Sequence, residues 1–487
     1  MSTDRDRLSE TRSLCPTCLA DVPATYVARD GAVYLSRTCP EHGETTRQVW
    51  GSVDHWEWAN GFGPDPVPDG DIEVDGDHAC LAVVEVTEDC NLSCSFCFAS
   101  SGPGGKQKEF EEVVDLLEVV KAEGGTRPIQ FSGGEPTVRD DLPELVARAR
   151  EMGFEHVQVN TNGLVLAQED GYARRLADAG VTAVYLQFDG LDPATYEAIR
   201  EVDISDAKHA AIDACREADL PVVLVPTVVP GTNDHELGDI VRFALSNDDV
   251  VQSVNLQPVA HFGRYEQHEG RFPADECARR LAAQIDGLET RDLLPVPCCS
   301  STCQLATAVV EPATGDDVMP VTRFLEREAA GQLSGLVDEA DWLELLAGTS
   351  AGDDLARTAA DCCGGADCCG GAAGLGEESP LGGAFGGLLD AVMPVSVTGF
   401  MDADAADVGR LNNCCLSVPT PDGDLVPFCG YNMTTDDGEY ALRNCHGWGG
   451  REGTEADLPA PGEGAAGTGD TPPAPGADYP LADTDDD

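Results

Sequence analysis

Three cysteines, Cys90, Cys94 and Cys97, stand in the order C-x3-C-x2-C directly after a short apolar run. Thiolates are soft ligands suited to iron–sulfur clusters. Three of them close together can hold three irons of a cubane and leave the fourth uncovered. An open coordination position separates a reactive metal centre from a structural one. A zinc knuckle would want cysteine pairs at x2 spacing and a fourth ligand, which this loop lacks. At the end of the next apolar run comes Ser132-Gly133-Gly134-Glu135-Pro136. Its two glycines let backbone approach a ligand closely, and Glu135 can accept a bond from an ammonium group. Asn160, Asn162, Gln187 and Asp189 lie at the ends of the following runs. They read either as contacts to a cofactor or substrate, or as strand-end caps and turn formers.

The chain has 20 cysteines, and they fall in three groups around a nearly cysteine-free middle. Near the start, Cys15-Pro16-Thr17-Cys18 and Cys39-Pro40-Glu41-His42-Gly43 look like two knuckles giving four ligands to one metal. The stretch between them reads as a hairpin turning at Asp30-Gly31. Zinc and rubredoxin-like iron are both open, and Cys80 could replace His42 as the fourth ligand. After position 290 four vicinal pairs occur among Cys298, Cys299, Cys303, Cys362, Cys363, Cys368, Cys369, Cys414, Cys415, Cys429 and Cys445. One of each pair reads as a spectator, and Gly-rich surroundings let loops wrap an inorganic core. One or two auxiliary iron–sulfur clusters are expected, with Cys298, Cys303, Cys363, Cys369, Cys414 and Cys429 as ligand candidates; structural or redox thiols are the plainer reading. Cys215 and Cys277 lie in helical patterns and read as buried structural thiols.

What must position these groups is a series of βα units. Strand candidates are 81–86, 128–132, 156–160, 183–188, 222–229 and 251–259, rich in Val, Ile and aromatics as buried parallel strands should be. Helical patterns over 109–123, 141–152, 167–179, 206–218 and 234–246 alternate with them. This predicts an α/β fold, a partial (β/α)6 barrel of the TIM type with chemistry at the C-terminal ends of its strands. A doubly wound open sheet is the alternative. Expected domains are an N-terminal metal-binding hairpin domain over 1–75, the barrel over 76–290 and a Cys-rich auxiliary iron–sulfur region over 291–450. An acidic Pro/Gly-rich tail, expected to be disordered, follows over 451–487.

Composition bounds the partners. Among 487 residues, 30 basic and 88 acidic side chains give a net charge of −58, and only four of the basic residues are Lys. Such a surface repels phosphate backbones, so nucleic acid is excluded as a generic partner. At molar salt the screening length falls to roughly 3 Å and self-repulsion fades, which fits a folded halophilic protein. No apolar run reaches the ~20 residues of a membrane span, and MSTDRDRLSETRS does not read as a signal peptide. A cytoplasmic protein is expected, with peripheral membrane contact open; its cysteines are then metal ligands before disulfides.

The loop CNLSCSFCF, with Phe96 just before the third cysteine, resembles the radical S-adenosylmethionine (SAM) superfamily, and FSGGEP at the next strand end agrees. The resemblance implies that a [4Fe-4S] cluster on Cys90, Cys94 and Cys97 binds SAM through its open iron. The Gly133-Gly134-Glu135 turn would receive the SAM amino group and Phe96 would pack near adenine. Reductive cleavage would give a 5′-deoxyadenosyl radical that removes hydrogen from an unactivated carbon. Over roughly 14–446, the segments CPTCLADVPATYV, FSGGEPTVRDDLPELV, VNLQPVAHFGR and SVPTPDGDLVPFCGYN together resemble the archaeal tetraether lipid synthase family. That implies coupling of two isoprenoid lipid chains through a C–C bond, an archaeal lipid substrate, and an electron donor such as a ferredoxin or flavodoxin. Cys298, Cys303, Cys414 and Cys429 carry over as auxiliary-cluster ligands. The apolar segment 381–400 would help line a lipid tunnel or form core helix and loop. Two other readings stand beside this one: a radical SAM enzyme for cofactor cyclisation, peptide modification or methylation, and a multi-cluster electron carrier without SAM chemistry. A long apolar tunnel would favour lipid; a small polar pocket would favour the second.

Overall fold

The computed structural model describes residues 7–62, 80–265, 271–296, 300–312, 317–321, 323, 389–440 and 442–443. Expectations about Cys298, Cys363, Cys369, residues 381–388 and the tail 451–487 lie outside them.

Six parallel strands form the centre: β5 (Leu81–Thr87), β6 (Ile129–Gly133), β7 (Val157–Thr161), β8 (Ala183–Gln187), β9 (Val222–Val225) and β11 (Val251–Pro258). The short β10 (Thr227–Val228) also pairs with β11. The six lie side by side in chain order. A doubly wound sheet reverses strand order at a switch point, so the in-order arrangement selects the partial barrel. Every residue of β5 is buried, because one face packs beneath helices and the other faces the barrel interior.

The helices follow from their apolar stripes. After the short α1 (Val53–Asn60), helix α2 (Phe110–Gly124) buries Val113, Val114, Leu116, Leu117 and Val120. Its start is fixed where the Glu112 carboxylate accepts the Glu109 N–H at 2.6 Å, a capping interaction across the first turn. Helices α3 (Leu142–Glu151), α4 (Leu164–Gln168) and α5 (Tyr172–Ala179) succeed it. Next come α6 (Pro193–Arg200), α7 (Ser205–Glu217), α8 (Leu237–Leu245) and α9 (Ala274–Ala282). The sequence reading did not anticipate α6, whose N-terminus is set by Pro193 and by the Asp192 carboxylate accepting the Ala194 N–H at 2.9 Å.

The C-terminal third extends the same sheet at both edges. Strand β15 (Leu389–Thr398) pairs parallel with β11 and antiparallel with β13 (Gln304–Pro312), which also pairs antiparallel with the short β12 (Leu294–Pro295) and β14 (Met319–Pro320). At the other edge β16 (Leu416–Pro419) pairs parallel with β5 and antiparallel with β17 (Leu425–Pro427). Residues 389–398 are therefore a strand, where the expectation was either tunnel lining or core helix and loop. Burial alternates from Ala391 along β15, a period of two that Pro394 inside the run and the glycines around it obscured.

The N-terminal segment is a four-stranded antiparallel sheet, β1 (Arg7–Leu14), β2 (Asp21–Arg29), β3 (Ala32–Cys39) and β4 (Gly43–Trp50), rather than a lone hairpin. The expected turn holds: Asp30 and Gly31 both have positive φ, 53° and 83°, as a two-residue turn joining twisted strands requires. The sheet docks through polar contacts. Tyr26 and Thr11 donate to Asp407 at 2.7 and 2.8 Å, and the Gly51 and Ser52 N–H groups donate to Asp275 on α9.

Candidate active site and metal centres

All six strands line one cavity of about 250 Å³. Cys90, Cys94, Cys97, Phe96, Gly133, Gly134, Glu135, Asn160, Asn162 and Gln187 line one side of this space, and Cys303, Cys414, Cys415 and Cys429 also reach it. Residues more than 300 positions apart thus share a wall, because β13, β15 and β16 flank the barrel.

The cysteine loop is tied down by backbone. Cys97 and Arg264 exchange two main-chain bonds of 2.8 and 3.0 Å. The Arg264 guanidinium donates to the carbonyls of Cys94 and Ser101. The Cys90 thiol is pushed up by burial, by the Glu135 charge and by its neighbours Cys94 and Cys97. A cationic cluster would reverse that penalty, so the donor set fits a group that binds thiolate. Among the described residues, only the N-terminal sheet draws three or more such donors within 4.8 Å of one another. Cysteines of a cubane each bind a different iron and need not converge so tightly.

Gly133 and Gly134 are required by the loop rather than by open space. A Cβ on Gly133 would lie 2.2 Å from the Thr87 oxygen, and one on Gly134 2.2 Å from the Asp89 oxygen. The turn is bonded there: Gly134 N–H to Thr87 O at 2.6 Å and Glu135 N–H to Asp89 O at 2.8 Å. Glu135 is 1% exposed. Its Oε1 accepts from Thr137 N, Thr137 Oγ1 and Thr161 Oγ1, and its Oε2 from Asn162 N at 2.6 Å. A carboxylate has about four acceptor positions, two on each oxygen, so Oε2 retains capacity for one donor from the cavity. Burial raises its pKa, against the pull of those donors.

The other candidates divide. Phe96 packs against Ile199, Val229 and Val259 while lining the cavity. Asn160 donates to Ser132 Oγ at 3.2 Å, and Asn162 to Asn91 at 2.7 Å. Asp189 is wholly buried and turned away from the cavity. It takes a forked pair from Arg200 at 2.6 and 2.9 Å and the Thr227 N–H at 3.1 Å. Arg200 itself reaches the cavity beside Cys94.

Sequence reasoning passed over Arg200, Arg264 and Lys208. Lys208 on α7 is fully buried; it donates to the Asn162 carbonyl and, at 2.7 Å, to Gln187 Oε1. With Gln187 Nε2 donating to Asp189, the Gln187 amide is held from both ends. Burial, with Arg200 adding to it, lowers the Lys208 ammonium to about 7 from the ordinary 10.5, although Asp189 opposes the shift. Between those values the unfolded chain binds one proton more than the native one, so stability rises with pH across that window. Below about 7 both states are protonated and the burial penalty is felt in full. The expected result is a wild-type thermal midpoint that gains on that of Lys208→Met between pH 7 and 10. Melting curves in molar salt that keep a constant gap would show that Lys208 is not buried as an amine.

In the N-terminal sheet, Cys15, Cys18, Cys39 and His42 converge within 4.8 Å. Cys18 and Cys39 sulfurs are 3.9 Å apart, and His42 Nδ1 is 3.7 and 3.5 Å from Cys15 and Cys39. Tetrahedral zinc with Zn–S bonds of ~2.3 Å puts sulfurs about 3.8 Å apart, so the donors fit one such ion. Burial raises the Cys39 thiol, but the N–H groups of Glu41 and His42 outweigh it and hold it at about 6, ready to bind as thiolate. Cys80 is not the fourth ligand. It packs with Val296, Cys303 and Cys415, and its N–H donates to the Cys415 carbonyl at 2.7 Å.

The family comparisons agree with this layout. A model of the Radical SAM superfamily matches residues 84–244, and one described as the HMPTM N-terminal zinc ribbon domain matches residues 7–51. The 7,8-dihydro-6-hydroxymethylpterin dimethyltransferase of Methanocaldococcus jannaschii is 33% identical over 475 residues, covering 87% of this chain and 93% of that protein. A probable GTP 3',8-cyclase of Methanothermobacter thermautotrophicus is 30% identical over 214 residues, 43% of this chain and 68% of that one. Among solved structures, Streptococcus suis SuiB aligns with a TM-score of 0.36 at 17% identity, over 42% of this chain and 45% of that chain. The extent of the match to the Methanocaldococcus protein, ribbon and barrel together, decides the assignment: this chain belongs to the radical SAM superfamily and, within it, to the family of that pterin dimethyltransferase.

Proposed function

We propose that the chain uses SAM-derived radical chemistry to methylate a carbon of a reduced pterin, one SAM being cleaved with electrons from the reductant to 5′-deoxyadenosine and methionine and a second giving up its methyl group to leave S-adenosylhomocysteine. Membership of the superfamily implies a [4Fe-4S] cluster and SAM. When bound, they supply a carbon radical able to take hydrogen from an unactivated C–H bond. The chain's residues do the placing. Cys90, Cys94 and Cys97 hold the cluster, and Glu135 offers its remaining acceptor position to an amine. Phe96 gives an apolar face, and Asn160, Asn162 and Gln187 give amides at the mouth. Cys303, Cys414 and Cys429 would hold auxiliary iron–sulfur chemistry at the same cavity, and the ribbon a zinc ion. An electron donor such as a ferredoxin or flavodoxin would supply electrons.

One observation carries the reading: a compact cavity, apolar over most of its wall, whose strands carry four amides, Gln130, Asn255, Gln257 and Gln304, placed to pair with a flat hydrogen-bonding heterocycle. The names of the two relatives, a pterin dimethyltransferase and a GTP cyclase, support a heterocyclic substrate. Coupling of isoprenoid lipid chains is the second reading, and a different part of the wall favours it. Phe98, Phe400 and Phe428 form an aromatic surface with ring centroids 5.3–5.5 Å apart, beside the C-terminal cysteines. No helix among the described residues is long and apolar enough to cross a membrane.

The test is anaerobic reconstitution with iron, sulfide, reductant and SAM, offering 6-hydroxymethyl-7,8-dihydropterin in one reaction and an archaeal diether lipid in another. Mass spectrometry should find pterin-dependent 5′-deoxyadenosine and a pterin heavier by methyl groups. A lipid pair lighter by two hydrogens, with the pterin untouched, would replace the first reading by the second.

A further inference from the structure

The interior face of β11 carries Ser253, Asn255 and Gln257, while Val254 and Leu256 face the helical layer as part of the main core. Asn255 is 1% exposed, lines the cavity, and its Oδ1 has no hydrogen-bond partner. On the adjoining β15, Thr398 also lines the cavity and its buried Oγ1 is likewise unpartnered. Thr398 is in register with Gln304 of β13, a third cavity-lining polar group. On β6 across the barrel, Gln130 spends its Nε2 on Gln158 at 3.1 Å, and on β11 itself Gln257 donates its Nε2 to the Tyr185 hydroxyl at 3.2 Å. The two amides thereby keep their carbonyl oxygens as acceptors.

A buried polar atom left unpaired is destabilising, and native proteins rarely leave one so without a reason. Two such atoms on adjacent strands, both at the wall of one cavity, point to a ligand that completes them. An alkyl chain could not. A cyclic amide could: its adjacent N–H and C=O match the acceptor and donor of a carboxamide.

We propose that Asn255, with Thr398 beside it, is the recognition edge for a lactam-bearing heterocycle, pairing with the pyrimidinone edge of the pterin. This rests on the pterin reading and assigns its specificity to the β11–β15 stripe. A group whose partner is the ligand is a burden to the ligand-free protein. Asn255→Leu, close in size and apolar, should therefore leave the thermal midpoint unchanged or raise it while weakening the ligand.

The experiment is anaerobic calorimetry of the reconstituted, SAM-loaded full chain with 6-hydroxymethyl-7,8-dihydropterin, alongside SAM binding and melting curves. Asn255→Leu should raise the pterin Kd tenfold or more, the equivalent of about 1.4 kcal/mol. SAM affinity should stay as in the wild type. Thr398→Val, the milder change, should raise the pterin Kd several-fold and covers the case in which Asn255→Leu fails to fold. Wild-type pterin binding that both variants retain would overturn the stripe and leave the pterin reading standing. A lowered midpoint with unchanged pterin affinity would make Asn255 structural and overturn it as well. A wild-type protein that binds SAM but no pterin would overturn both readings together.

Discussion

Cys94→Ala should abolish 5′-deoxyadenosine formation and remove the iron that the Cys90–Cys97 loop holds, while the ribbon keeps its metal. Cys94 is the middle member of the C-x3-C-x2-C loop and is buried in the cavity wall. Its carbonyl is held by the Arg264 guanidinium at 2.7 Å, so the loop backbone has an anchor that the substitution leaves intact. What is lost is one thiolate of three, with no fourth cysteine in the loop to replace it. Ligand loss at such a site removes the metal chemistry outright, because the cluster itself generates the reactive species. The ribbon ligands form a separate donor set, so metal analysis should report lost iron and retained zinc. Cys215→Ala is the matched control: Cys215 is also buried, but on α7 within the hydrophobic core. It should retain both cluster and product. Product formation surviving in Cys94→Ala would mean that this loop does not carry the chemistry.

The barrel was legible because its strands are buried on both faces, and Val-rich runs such as LAVVEVT announce that directly. The loop motifs were legible because their meaning lies in spacing. What escaped is what depends on the partner an atom finds. Asp189 sits in the strand-end motif FDG like its neighbours, yet it turns to Arg200, which lies on the unanticipated α6. Gly133 and Gly134 suggested close approach of a ligand, and the approach is made by the Thr87–Asp89 backbone. Lys208 did leave a trace. It shares the spacing of Ala211, Ile212 and Cys215, the buried face of α7, and a lysine at that period in a chain with only four deserved a question. Cys80 was read against the N-terminal knuckles because it is near them in sequence. The parallel pairing of β16 with β5 instead brings Cys415 to it, and a pairing across more than 300 residues leaves no local signal.

Asp189→Ala should destabilise the barrel by about 3–5 kcal/mol, the usual consequence of removing one partner from a buried ion pair. The pair is well buried, with side-chain exposures of 9% for Arg200 and 0% for Asp189. Without the carboxylate, the guanidinium loses its two short bonds and the Thr227 N–H loses its acceptor. Lys208 feels the loss too, since Asp189 is the first of the charges that hold its ammonium up against burial. Its pKa should fall further, and part of the cost is absorbed by releasing that proton. Removing both charges avoids the stranded cation, so Asp189→Leu with Arg200→Met should recover most of the stability. The double variant should nevertheless be catalytically impaired, because Arg200 lies in the cavity wall beside Cys94. Urea midpoints measured in molar salt, where the acidic surface is screened, separate the two effects. A single variant as stable as wild type would mean that Arg200 finds water or another anion at once. A double variant that is stable and fully active would place Arg200 in the scaffold alone, while one that is stable and inactive would place the Arg200 guanidinium in the working site and leave Asp189 as the group that positions it.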